Sequence, residues 1–177
     1  MTEWHIRLAR AEDADYLPAI ETAAGELFKT VDGLAGIAGT QALSAPEQRR
    51  LIRKGHCLVA ESAGTLVGFI STEPFHRELD IREFSVHPDY QRNGIGAILL
   101  RAATIDAHNS GFRAITLTTF ADVPWNGPFY IRHGFKTVTD LSAHPRLAAN
   151  IDQQVEDGIP RERRVAMIKF LGLDENA

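Results

Sequence analysis

A chain of 177 residues with 44% hydrophobic and 24% charged side chains can close a core, and at roughly 100–200 residues per domain it has room for one domain, spanning 1–177, and not two. A net charge of −4, from 19 basic and 23 acidic residues, argues against a nucleic-acid partner, because neutralising phosphate needs a basic surface. The single cysteine, Cys57, excludes an internal disulfide framework and points to a reducing compartment. No basic segment followed by an apolar one opens the chain and no run of 18 apolar residues occurs, so the expectation is a cytoplasmic protein with no membrane partner.

In chain order, Trp4 to Leu8 alternates enough for a strand. Glu12 to Phe28 follows as a helix, with Ala14, Leu17, Ile20, Ala24 and Leu27 recurring at three- and four-residue steps. Gly33, Gly36 and Gly39 make 29–45 a mobile connection, and Pro46 to Lys54 is a short helix with proline in its first turn. His56–Glu61 and Thr65–Phe75 read as a hairpin across Ser62-Ala63-Gly64. Leu79–Val86 is a further strand, ended by Pro88. Gly94 to Asn109 is helical, with Ile95, Ile98, Leu99, Ala102 and Ile105 as its apolar stripe. A strand over Arg113–Phe120, a short helix over Asn126–His133 with Asn126 as a possible cap, and strands over Phe135–Thr139 and Arg163–Leu171 complete the series. A helix to about Glu156 sits in the insertion between the last two strands. The tally is a mixed α/β (α+β) fold, a sheet of about seven strands with helices on both faces.

The chemistry concentrates in Ser85-Val86-His87-Pro88-Asp89-Tyr90-Gln91-Arg92-Asn93-Gly94-Ile95-Gly96. A strand stops, a polar turn follows, and glycines open a long helix. Amides at a helix start are unpaired and carry the positive end of the helix dipole. Without side chains at Gly94 and Gly96 a diphosphate can approach the backbone, and Arg92 adds a charged donor. The segment is therefore an anion cradle, or else a plain strand-to-helix turn. Gly-x-x-x-x-Gly-Lys-Ser/Thr is absent, and Leu99 stands where a dinucleotide fingerprint needs its third glycine.

Gln91-Arg92-Asn93-Gly94-Ile95-Gly96 resembles the Gln/Arg-x-x-Gly-x-Gly/Ala signature of the GNAT superfamily of N-acetyltransferases. Phe84-Ser85-Val86-His87-Pro88 resembles the end of that family's fourth strand, and Asn126-Gly127-Pro128-Phe129-Tyr130-Ile131-Arg132-His133-Gly134-Phe135 its second motif. The order of elements is similar over about 4–140 and again at 163–171. The resemblance implies a central, mixed, mostly antiparallel sheet and acetyl-CoA as cosubstrate. The amides of Gln91, Arg92, Asn93, Gly94, Ile95 and Gly96 would hold the diphosphate. Val86 would offer main-chain groups to the pantetheine arm beside a splayed strand edge, Asn126 would contact that arm, and Tyr130 would face the thioester sulfur.

Acetyl transfer needs a neutral amine, a polarised carbonyl and a protonated leaving thiolate. The Val86 N–H suits the carbonyl oxygen and Tyr130 the sulfur. For the base, Asp80 and Glu83 both lie on the strand ending at Val86. Simple alternation puts Asp80 on Val86's face and Glu83 on the other, which favours Asp80, although the bulge usual in this strand of the family would break that parity. Ion pairing with Arg77 or Arg82, or a water relay, is the alternative for each. Seven scattered histidines show no ligand spacing, so no metal is expected. Cys57 reads as core, and Trp125 as either cavity wall or packing.

Acids near the cleft mouth, Glu73, Glu78 and Asp80, favour a cationic amine. The expectation is acetylation of a primary amine of a small molecule. The alternatives are acetylation of protein N-termini or lysines, and a non-catalytic acetyl-CoA-binding regulatory module. A homodimer is left open.

Overall fold

The computed structural model describes residues 3–37 and 42–172. Seven strands form one sheet in the order β1-β2-β3-β4-β5-β7-β6: β1 Trp4–Leu8, β2 Leu58–Ser62, β3 Thr65–Phe75, β4 Glu78–Val86, β5 Ala114–Phe120, β6 Lys136–Thr137 and β7 Arg164–Phe170. Every pairing is antiparallel except β4 with β5. The mixed, mostly antiparallel sheet expected from the sequence is the one observed. Among the described residues five α-helices accompany it: α1 Leu17–Gly25, α2 Ala45–Ile52, α3 Ile95–Asn109, α4 Gly127–Arg132 and α5 Pro145–Glu156. Among the described residues no helix is long and apolar enough to cross a membrane.

The helices divide between the faces. On one, α3 and α4 close a core of Leu79, Ile81, Leu99, Leu100, Ile115, Leu117 and Tyr130. On the other, α1 and α2 pack Leu17, Ile20, Leu51 and Ile52 against Val59 and Phe69, and α5 lays Leu147 and Ile151 on Ala166.

The long first helix expected over 12–28 is divided. Pro18 lacks an N–H and cannot sit inside a helix, so α1 begins at Leu17, with a 3-10 turn before it (Ala11–Asp15) and another after it (Glu26–Thr30). The α3 stripe is also rotated from the one expected: Ile95, Leu99, Leu100, Ala103 and Ala107 are buried, while Ile98 and Ile105 are 43% and 51% exposed. The glycine-bearing connection at 29–45 lies partly outside the described residues. Its described part packs Val31, Leu34 and Ile37 against Phe120, Val123 and Ile159.

β4 positions the site. Its register with β3 shifts between Ser71 and Thr72, which oppose Glu83 and Ile81, so Arg82 is an extra residue. Such a bulge flips the parity that follows it. Asp80 and Glu83 therefore share one face, the α1 and α2 side, while Leu79, Ile81, Phe84 and Val86 share the other. The simple count that put Asp80 beside Val86 is corrected. β4 also holds β5 over only three register pairs, Glu78 to Asp80 with Ala114 to Thr116. Beyond them the two strands part.

Candidate active site

The parting of β4 from β5 opens a cleft of about 990 Å³, lined by both strands, the start of α3, α1, α4 and α5. His87 N–H donates to Val67 O at 2.8 Å, which makes Gly68–Val86 a non-hydrogen-bonded pair. The Val86 N–H and C=O hence point away from β3 into the parting. The carbonyl is taken by Gln91 Nε2 at 2.9 Å.

Three further turns tie down the loop after β4. Tyr90 N–H donates to His87 O and Gln91 N–H to Pro88 O, and Asn93 Nδ2 donates to Tyr90 O. Arg92 (φ +63°) and Gly94 (φ +78°) then adopt left-handed backbone, and Gly94 opens α3 without any side-chain cap. The first α3 bond runs from Ile98 N–H to Gly94 O. The N–H groups of Ile95, Gly96 and Ala97 thus have no partner within the helix, and all three residues line the cleft. A Cβ on Gly94 would meet nothing within 4 Å, so the space over this helix start is free. Of the amides expected to hold an anion, that of Gln91 is engaged in its turn, and Ala97, which the sequence reading missed, joins the set.

Across the cleft, Asn126 stands at the start of α4 but its side chain caps nothing. Its amide is left facing the cleft, not bound to its own helix. Tyr130 is 7% exposed, its ring held among Phe84, Phe129 and Phe135 at centroid distances of 6.4, 5.4 and 5.4 Å. Burial, with Glu83 nearby, raises its phenol above the ordinary value. It stays protonated.

The two carboxylates expected as bases part company. Asp80 is 2% exposed and fully engaged: it pairs with Arg146 Nη1 at 2.8 Å and Arg82 Nη1 at 3.5 Å, and accepts from Thr116 Oγ1 at 2.6 Å. Glu83 lines the cleft, accepts from Ser85 Oγ at 2.8 Å, and comes within hydrogen-bond reach of Glu21 on α1. Glu21 in turn accepts from Leu43 N–H at 3.0 Å. Burial, and then Glu83 beside it, push the Glu21 carboxyl up to about 9, so Glu21 keeps its proton at neutral pH.

Glu73 and Glu78, two of the acids expected to favour a cationic amine, already have cationic partners. Glu73 pairs with Arg50 at 2.6 Å and Lys54 at 2.5 Å, and although burial alone would raise it, these two cations hold it down at about 2. Glu78 pairs with Arg146 at 2.8 Å. Trp125 both lines the cleft and packs on Phe28 at 5.8 Å, so its two readings are both met. Cys57 is buried and free, and burial pushes its thiol up. The sequence reading missed Glu21 and Arg164. Glu21 interrupts the apolar pattern of α1, which was its one available signal, whereas Arg164 ends the charged run 161–164 and had none.

Over residues 53–137 the chain matches the acetyltransferase (GNAT) domain family. It is 29% identical over 134 residues, 75% of its length, to the mycothiol acetyltransferase of Stackebrandtia nassauensis, and spans about two fifths (42%) of that relative. The PaiA N-acetyltransferase of Thermoplasma acidophilum, solved with coenzyme A, superposes with a TM-score of 0.71 at 18% identity, covering 95% of this chain and 99% of that one. The ribosomal-protein-S18-alanine N-acetyltransferase of Escherichia coli gives 0.66 at 17% identity, covering 99% of each. These likenesses establish the fold.

Proposed function

We propose that the protein transfers an acetyl group from acetyl-CoA to the primary amine of a small molecule. The observation that carries this reading is the convergence, in one parting of the sheet, of unpartnered α3 amides, an inward-facing Val86 N–H, Tyr130 and Glu83. The open space over Gly94 and the unspent Asn126 amide suit a diphosphate and a pantetheine arm. The amides of Arg92 to Ala97 would take the first, and Val86 and Asn126 the second. Bound there, acetyl-CoA supplies an activated acyl carbon and a thiolate leaving group.

This chain's own groups do the rest. Glu83 takes the proton of the incoming ammonium, and Glu21 holds the neighbouring proton of the pair. Val86 N–H donates to the carbonyl oxygen as charge grows on it. Tyr130, kept protonated by burial, gives its proton to the departing sulfur as the new N–C bond replaces C–S, and the proton then shed by the acetylated nitrogen restores the phenol. Coenzyme release measured over a broad amine library, alongside calorimetry with acetyl-CoA, tests the reading. Tyr130→Phe should lower turnover about tenfold or more with coenzyme binding nearly intact. Coenzyme binding without release on any amine would favour a regulatory module, and release with peptides alone a protein modifier.

A further inference from the structure

Arg164 opens β7 opposite Phe120, the last residue of β5. It shares its parity with Ala166, which packs under α5, so its side chain lies on the face of the sheet that also carries Asp80 and Glu83. The guanidinium sits 4.6 Å over the Phe120 ring, donates from Nε to Gln154 Oε1 at 2.9 Å, and lies 3.4 Å from Thr118 Oγ1. Among the described residues no carboxylate pairs with it. Arg7, Arg49, Arg50, Arg82, Arg146, Arg161 and Arg163 have acidic partners, and every other described arginine that lacks one is exposed, whereas Arg164 is largely covered. A buried cation without a counter-charge is costly, and this one lines the cleft.

Glu83 lines the same cleft from β4, across the parting, and is the nearest charge of opposite sign that Arg164 feels. The two form no ion pair with each other. The acceptor end of the cleft therefore sets Glu83 with Glu21 opposite the unmatched Arg164; α5 adds the neutral amides of Asn150, Gln153 and Gln154 and, at its end, Asp157, which accepts from Gln153 Nε2 at 3.2 Å. Burial lowers the Arg164 guanidinium to about 10, against the pull of Glu83 and Tyr130, so it is charged at neutral pH. A polyamine would set a second cation against Arg164. An amine that also bears an anion would match both centres at once.

We infer that the acceptor is an amine carrying a carboxylate or similar anionic group, whose anion pairs with Arg164 while its amine lies at Glu83. This rests on the acetyltransferase reading and names the substrate class within it. Recognition of this kind discriminates by leaving a buried charge unpaired when the anion is missing.

The test is a panel of matched pairs, each an amino acid beside its amide and its decarboxylated amine, with α-, β- and γ-amino acids as separate arms. Two readouts are taken: coenzyme release from acetyl-CoA, and calorimetric binding of the same compounds to protein saturated with CoA. The carboxylate member should lead in kcat/KM by ten- to a hundredfold, the scale of a hydrogen bond to a charged group. Arg164→Gln should shrink that ratio toward one, and Arg164→Lys should restore part of it. Preference for the decarboxylated amines or polyamines, or an equal loss on both members in Arg164→Gln, overturns the inference while leaving the acetyltransferase reading in place. Should Arg164→Gln fail to fold, the wild-type ratios decide alone. If CoA binds yet no amine is acetylated or bound, the parent reading falls and this one with it.

Discussion

Asp80 and Glu83 stand three residues apart, yet one is structural and the other chemical in the reading proposed here. The difference is local charge. Asp80 is enclosed by Arg146, Arg82 and Thr116, so Asp80→Asn should cost about 2 kcal/mol of stability, read as a lowered Tm, with the coenzyme affinity little changed. Glu83→Gln should lower kcat on the order of a hundredfold or more, as removal of a general base does, without a comparable loss of Tm. Reversal of the two phenotypes would return the base to Asp80.

Glu21 makes a second residue-scale prediction. Its ordinary value is 4.5 and the folded value is about 9, so between those limits the folded protein holds a proton that the unfolded chain has lost. Stability then falls as pH rises through that window. Glu21→Gln removes the effect: its Tm should match the wild type near pH 4 and exceed it increasingly toward pH 9. Parallel Tm curves would show that Glu21 is not held protonated. None of this pairing was legible in the sequence. Glu21 and Glu83 are 62 positions apart, and no local pattern reports which helix face lies over which strand. Glu83 was legible as a candidate, but its rank against Asp80 depended on Arg82, and a bulge residue leaves no mark in an alternating pattern.

At the scale of elements, the start of α3 was readable because glycines, a preceding strand and a polar turn constrain one another within twelve residues. The start of α1 was misread because five apolar residues at helical spacing outweighed Pro18, whose missing N–H was the better guide. The α3 stripe erred at Ile98 and Ile105, which are exposed, since a helix this apolar offers two stripes and only packing chooses. At α4, glycine is required by space: a Cβ on Gly127 would lie 2.8 Å from Ala121 O and 3.0 Å from Phe120 O. Gly127→Ala should therefore cost about 1–3 kcal/mol and displace both Asn126 and Tyr130, so that turnover falls further than stability alone predicts. An unaltered Tm would mean the β5–α4 turn yields freely.

For the whole molecule, the reading proposed here gives the two faces of the sheet separate duties: α3 and α4 would build the coenzyme side and α1, α2 and α5 the acceptor side, with the parting of β4 from β5 between them. Saturating that cleft couples to folding of the entire domain. At a hundred times Kd, CoA should stabilise the native state by about 2.7 kcal/mol, which for a chain of this size is roughly 5–10 °C in Tm. No shift would separate the fold from the ligand it is proposed to take.

The three-pair contact between β4 and β5 has a consequence for what counts as part of the architecture. Elsewhere each strand finds its ladder in the polypeptide; here two inner borders are left without rungs, and a slender guest bearing amides of its own is the natural piece to supply them. Such a guest would be a borrowed eighth strand, and each catalytic cycle would remove and replace a plank of the protein's own floor.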